Sequence, residues 1–111
     1  MKAGIERSEF FRTDFALQYG WYLEEAGERV AERYMAAVED ALRRLTVNPK
    51  LGRLRKFRAP ALRAIRNLRV APPFGVHLIF YRHVDDTVIV ERVMHGARDL
   101  PRRLLEPPGS A

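Results

Sequence analysis

A chain of 111 residues has the length of a single domain, enough to bury one core without covalent staples. Its lack of cysteine excludes disulfide frameworks, thiolate catalysis and cysteine-based zinc sites together, and a hydrophobic fraction of 47% excludes a disordered chain. The net charge of +6 is unevenly placed: residues 1–48 carry seven basic and nine acidic side chains, residues 49–111 thirteen basic and five acidic ones.

Ala3–Glu6 reads as a short first strand. Ser8 is an N-cap candidate with Glu9 favourable in the first turn, so a helix runs from there to about Ala26, where Gly27 suits the C′ position. This helix is apolar on two faces. Phe11, Phe15, Tyr19, Tyr22 and Ala26 share one; Phe10, Leu17 and Trp21 share the other. A helix of that kind must be covered twice, by the core on one side and by a second helix or a partner on the other. The second helix, Glu28 to Thr46, has a single stripe of Val30, Tyr34, Val38, Ala41, Leu42 and Leu45. Glu39–Arg43 and Asp40–Arg44 are spaced as i,i+4 ion pairs on its solvated face. Asn48-Pro49 ends it, and the short link at Gly27 implies an antiparallel hairpin.

Residues 49–61 form a basic loop, and from Lys50 to Arg69 there are eight basic side chains and no acidic one. Three strands follow: Ala64–Val70, Val76–Arg82 and Thr87–Met94, separated by the Pro72-Pro73 break and a turn at Asp85-Asp86. Short turns between adjacent strands imply an antiparallel meander. The expected fold class is α+β, an N-terminal antiparallel helical hairpin packed on a small antiparallel β-sheet. Residues 1–106 form one domain, with one or two helical turns within Gly96–Leu105 and a flexible tail at 107–111. The longest uncharged run, Val70–Tyr81, contains two prolines and a glycine and falls short of the roughly 20 apolar residues of a membrane span. Glu6, Arg7 and Glu9 stand where a secretory apolar segment would lie, so a cytoplasmic protein with no membrane contact is expected.

No phosphate loop, metal-binding helix motif or serine triad is present, and neither a cofactor nor a metal is expected. His77, His83 and His95 lack the spacing of a helical metal pair and read as partly buried histidines. Arg63, Arg66 and Arg69 either solvate a sheet edge or bind phosphate or acidic groups. Arg92, His95, Arg98 and Asp99 cluster where the last strand ends, a place where function concentrates.

The stretches His77–Arg82 and Val88–Asp99, with Asn48–Arg53 after the second helix, resemble the RelE/ParE superfamily of bacterial toxins over roughly residues 5–100. The most specific part, Arg92-Val-Met-His-Gly-Ala-Arg-Asp99, is similar to the ParE-like branch. The resemblance implies the toxin of a type II toxin–antitoxin system, a plasmid-stabilization role among them, neutralised by a tightly bound antitoxin through which DNA contact is mainly made. ParE-like members inhibit DNA gyrase; RelE-like members cleave mRNA in the ribosome. The nucleases' arginine on the middle strand is matched here by Leu78, and their C-terminal tyrosine has no counterpart in Leu100–Ala111. Arg66, Arg69, His95 and Arg98 are the residues an RNase would use, His95 supplying acid–base chemistry. Under the gyrase reading, Arg92, His95, Arg98, Asp99, Arg102 and Arg103 contact the target. Phe10, Leu17 and Trp21, flanked by Arg66 and Arg69, form the antitoxin surface, unless that helix face packs on the second helix. A plain nucleic-acid-binding module is the remaining reading of the basic patch.

Overall fold

Ser8 does what its position predicts. Its hydroxyl accepts from the Phe11 amide at 3.0 Å and donates to the Glu91 carbonyl at 2.7 Å, so it starts the first helix and ties it to the last strand. A computed structural model describes residues 2–96 and 99–109. Its elements are β1 (Gly4–Arg7), α1 (Glu9–Ala26), α2 (Glu28–Val47), β2 (Arg53–Leu54), a 3-10 turn at Pro60–Leu62, β3 (Arg66–Arg69), β4 (His77–Val84), β5 (Thr87–His95) and α3 (Leu100–Leu105).

The sheet is mixed, in the order β1-β5-β4-β3-β2. The expected meander of β3, β4 and β5 is present, and β2 adds to its edge. The fully antiparallel sheet is corrected by β1, which pairs in parallel with β5. The reason is topological. Chain direction reverses at each link between β2 and β5, and β1 runs opposite to β2 with two helices between them. An even number of reversals therefore separates β1 from β5. The strand expected over Ala64–Val70 is shorter, because Ala64 takes φ 63°, a conformation a regular strand excludes. Asp85 and Asp86, at φ 47° and 60°, form the tight β4–β5 turn, whose two left-handed residues match the twist of the flanking strands.

Tyr34, Val38, Ala41, Leu42 and Leu45 of α2 pack with Phe11 of α1 against Ile79, Tyr81, Val88, Val90 and Val93. Val88 and Val90 share a parity that Val93 does not. A bulge reconciles them: Phe80 pairs with Arg92 and Tyr81 with Val90, leaving Glu91 as the extra residue. The opposite face of the sheet is buried too, with Leu78 and Phe80 covered by Leu62, Ile65 and Leu104. That second layer explains the continuous apolar run of β4. The expected helix-surface pairs differ: Glu39 binds Arg7 at 2.9 Å, and Asp40 meets Arg43, one position nearer than expected. No described helix is long and apolar enough to cross a membrane.

Candidate functional site

The antiparallel register sets His77 directly opposite His95 at one end of the sheet. Their rings stand 6.3 Å apart, nearly perpendicular. α1 crosses that end and places Gln18, Trp21 and Tyr22 over it, enclosing a cavity of about 350 Å³ with Val76. The Tyr22 hydroxyl lies 2.9 Å from His77 Nε2. His77 is 3% exposed, and burial, with the neighbouring His95 adding to it, lowers its pKa below the ordinary imidazole value. The ring is therefore neutral at pH 7 and hydrogen-bonded, while His95 is exposed. Burial raises the pKa of Tyr22. It raises that of Tyr34 much further, with the Tyr22 and Asp14 charges adding to the effect.

An adjoining hollow brings together four of the residues that the sequence singled out: Leu17, Trp21, His95 and Arg103. Arg103 donates to the His95 carbonyl at 3.1 Å and so holds α3 beside the strand end. Arg102 faces solvent and pairs with Glu106 at 2.7 Å and Asp99 at 3.7 Å. Asp99 itself is left-handed at the start of α3. Arg98 lies outside the described residues.

Arg92 departs from its expected place on the target-binding surface. It is 5% exposed, and its Nε and Nη2 bind both oxygens of Asp14 at 2.7 and 2.9 Å. Its Nη1 donates to the carbonyls of Arg103, Leu104 and Glu106. The guanidinium thus caps the C-terminus of α3 and lies under the Phe10 ring at 5.3 Å. Phe10 lies over a different cleft, of about 360 Å³, shared with Leu62, Ile65, Arg92 and Leu105. Arg66 and Arg69 sit on β3, where Arg66 pairs with Tyr81 and Arg69 with Leu78, the neighbour of His77. Arg66 donates to the Gly52 carbonyl at 2.9 Å, and Arg69 to the Gly75 carbonyl. The alternative of a second-helix cover for the outer face of α1 is not realised: Phe10, Leu17 and Trp21 are 42%, 55% and 55% exposed.

Sequence reasoning missed Gln18, Tyr22, Tyr34 and Asp14 as partners in these sites, and left His77 as an ordinary core histidine. The available signal was the turn at Asp85-Asp86. Pairing strands outward from it sets His77 against Met94, one residue short of the true register.

A helical hairpin on a mixed five-stranded sheet is the fold of the RelE/ParE toxins. The chromosomal ParDE TA system from P. aeruginosa aligns with 14% identity and a TM-score of 0.69, over 85% of this chain and 96% of that one. The toxin–antitoxin complex RelBE2 from Mycobacterium tuberculosis aligns with 21% identity and a TM-score of 0.57, over 86% and 99%. A mutant of the E. coli toxin RelE in the free state aligns with 14% identity and a TM-score of 0.53, over 89% and 88%. No curated protein sequence matches the chain. Residues 5–100 match the profile of the ParE toxin of the type II toxin–antitoxin system parDE, and the chain belongs to that family.

Proposed function

We propose that this toxin acts by binding DNA gyrase rather than by cutting RNA, and that a protein antitoxin neutralises it in the cytoplasm. The observation that carries this reading is the state of the cations that cleavage would need. Arg66 and Arg69, two of the residues an RNase would use, are turned onto backbone carbonyls of their own chain. A scissile phosphate requires such groups to face the substrate. The exposed His95, Asp99 and Arg102 at the α3 end of the sheet, with the half-buried Arg103, remain as the contact surface for the target, with Arg98 beside them in sequence. The family assignment favours the same reading. Purified toxin is expected to inhibit supercoiling by gyrase, and unimpaired supercoiling at saturating toxin overturns the proposal.

The His77–Tyr22–His95 group favours a second reading, a ribosome-dependent mRNA endonuclease. It provides a neutral imidazole next to an exposed one, which is acid–base material. Mapping mRNA 5′ ends after induction decides between the two. New codon-phased cuts establish the nuclease, and their absence removes it.

A further inference from the structure

Arg102 and Arg103 stand on a helix too short to form by itself. α3 has six residues, well below the ~12–15 at which an isolated helix is even marginal. Its N-cap residue, Asp99, is left-handed and makes no side-chain capping bond. Its ion pairs, Arg102 with Asp99 and with Glu106, are exposed and hold little. Leu104 is buried against the sheet, but apolar contact is non-directional and fixes no rotation about the helix axis. Arg103 adds one bond, from its own side chain to the His95 carbonyl. The remaining directional contacts come from Arg92. Its Nη1 donates to the carbonyls of Arg103, Leu104 and Glu106 at 3.1, 3.1 and 2.6 Å, which sets a cation on the negative end of the helix dipole.

Arg92 is itself aimed by the edge of the sheet. β1 ends opposite Val90, and beyond that residue α1 takes the place of a strand beside β5. The Ser8 hydroxyl donates to the Glu91 carbonyl, and Asp14 accepts from the Val93 amide at 3.2 Å. The bulge at Glu91 sets Arg92 opposite Phe80, on the sheet face that Leu104 of α3 covers. Asp14 occupies Nε and Nη2, which leaves Nη1 for α3. A lysine carries one nitrogen and no fork, so it cannot serve both carboxylate oxygens and three carbonyls together. We infer that Arg92, aimed by Asp14, is the positioning residue of the target surface: it keeps α3 helical and so holds Arg102 and Arg103 beside His95. The inference rests on the reading of that surface as the target contact.

Two variants separate position from stability. Arg92→Met with Asp14→Leu fills the same space with apolar groups but offers α3 no donor. Arg92→Lys keeps a charge opposite Asp14 and loses the fork. Hydrogen exchange read by mass spectrometry on the full-length toxin follows α3 and the core together. In both variants the amides of residues 103–106 are expected to exchange about tenfold faster or more, measured against those of α2 and β4, than in the wild type. In the same preparations the toxin concentration that half-inhibits gyrase supercoiling is expected to rise about tenfold or more. A merely structural pair implies the opposite for the double variant, whose inhibition would return with its stability. Unchanged exchange in α3, or wild-type inhibition by a variant whose α3 exchanges faster, overturns the inference. If the double variant does not fold, Arg92→Lys decides alone. If the wild-type toxin itself leaves supercoiling unimpaired, the target reading falls, and the exchange of α3 still upholds or overturns the grip of Arg92 on the helix.

Discussion

Arg92 joins three segments through one planar group: Asp14 of α1, its own strand, and the carbonyls that end α3. Both side chains of the ion pair are nearly sealed from solvent, at 6% and 9% exposed. A pair so buried gains little over an apolar pair of the same volume, but removing one member strands the other's charge. Arg92→Ala is therefore expected to destabilise the fold by about 3–5 kcal/mol in urea unfolding. The double replacement Arg92→Met with Asp14→Leu should recover most of that loss. Full recovery in Arg92→Ala alone would show the pair to be dispensable. His77 makes a prediction in pH. Its folded pKa lies below the unfolded value of about 6.5, so the unfolded chain takes up the proton first as pH falls. Its stabilising contribution is complete above that value and is lost as pH drops from there through the folded pKa. Between pH 7.5 and pH 5 the wild type should therefore lose more stability than His77→Gln does, read from unfolding midpoints at each pH; parallel curves would contradict it.

The elements differ in how much of themselves the sequence disclosed, and the difference is physical. Both long helices were legible, because Ser8, Gly27 and Asn48-Pro49 are local signals that act within a turn of the residues they govern. The β4–β5 hairpin was legible for the same reason. The site was not, because it depends on the Glu91 bulge, which shifts the register by one residue and brings His95 rather than Met94 opposite His77. Nothing local to Glu91 announces that shift. It follows from tertiary demands: the Ser8 hydroxyl donates to the Glu91 carbonyl, and Val93 must reach the helix layer. The pairing of β1 with β5 was hidden likewise, being settled between residues more than 80 positions apart. The Asn48–Arg53 motif gains a mechanism. The Tyr81 hydroxyl donates to the Pro49 carbonyl at 2.7 Å and accepts from the Gly52 amide at 2.8 Å, clamping the turn after α2 onto β4. Tyr81→Phe should cost about 1–3 kcal/mol, since it leaves a buried amide unpaired. Gly52→Ala should cost more than a surface substitution, because a Cβ there would stand 2.6 Å from the Tyr81 hydroxyl and 2.9 Å from the Asn67 carbonyl. Thermal unfolding of the two variants checks both, and wild-type midpoints would refute the clamp.

Over the whole molecule, apolar exposure and charge are arranged so that binding and folding can be separated. The excess positive charge belongs to the loop, sheet and tail, while the helical hairpin is net acidic yet carries the exposed Phe10, Leu17 and Trp21. On one helix, then, Phe11 is 4% exposed in the core, and Trp21, less than three turns away, is 55% exposed. Truncating each asks a different question. Phe11→Ala should cost about 3–5 kcal/mol of stability, the usual consequence of an emptied aromatic site. Trp21→Ala should change stability by no more than about 0.5 kcal/mol, as surface substitutions do. If the outer face of α1 is the proposed antitoxin surface, the same Trp21→Ala variant should bind antitoxin at least tenfold more weakly, since a buried tryptophan anchor is worth about 2 kcal/mol or more at an interface. An acidic antitoxin segment passing the basic sheet adds a second signature. Its association rate should fall as salt rises from about 50 to 200 mM, because exposed charges are screened over that range, and the Trp21→Ala loss should persist at both salts. Calorimetric or surface-based titration of the toxin with its antitoxin reads both effects. Wild-type affinity in a folded Trp21→Ala protein would move the antitoxin off this face, leaving the cleft beneath Phe10 as the next surface to vary.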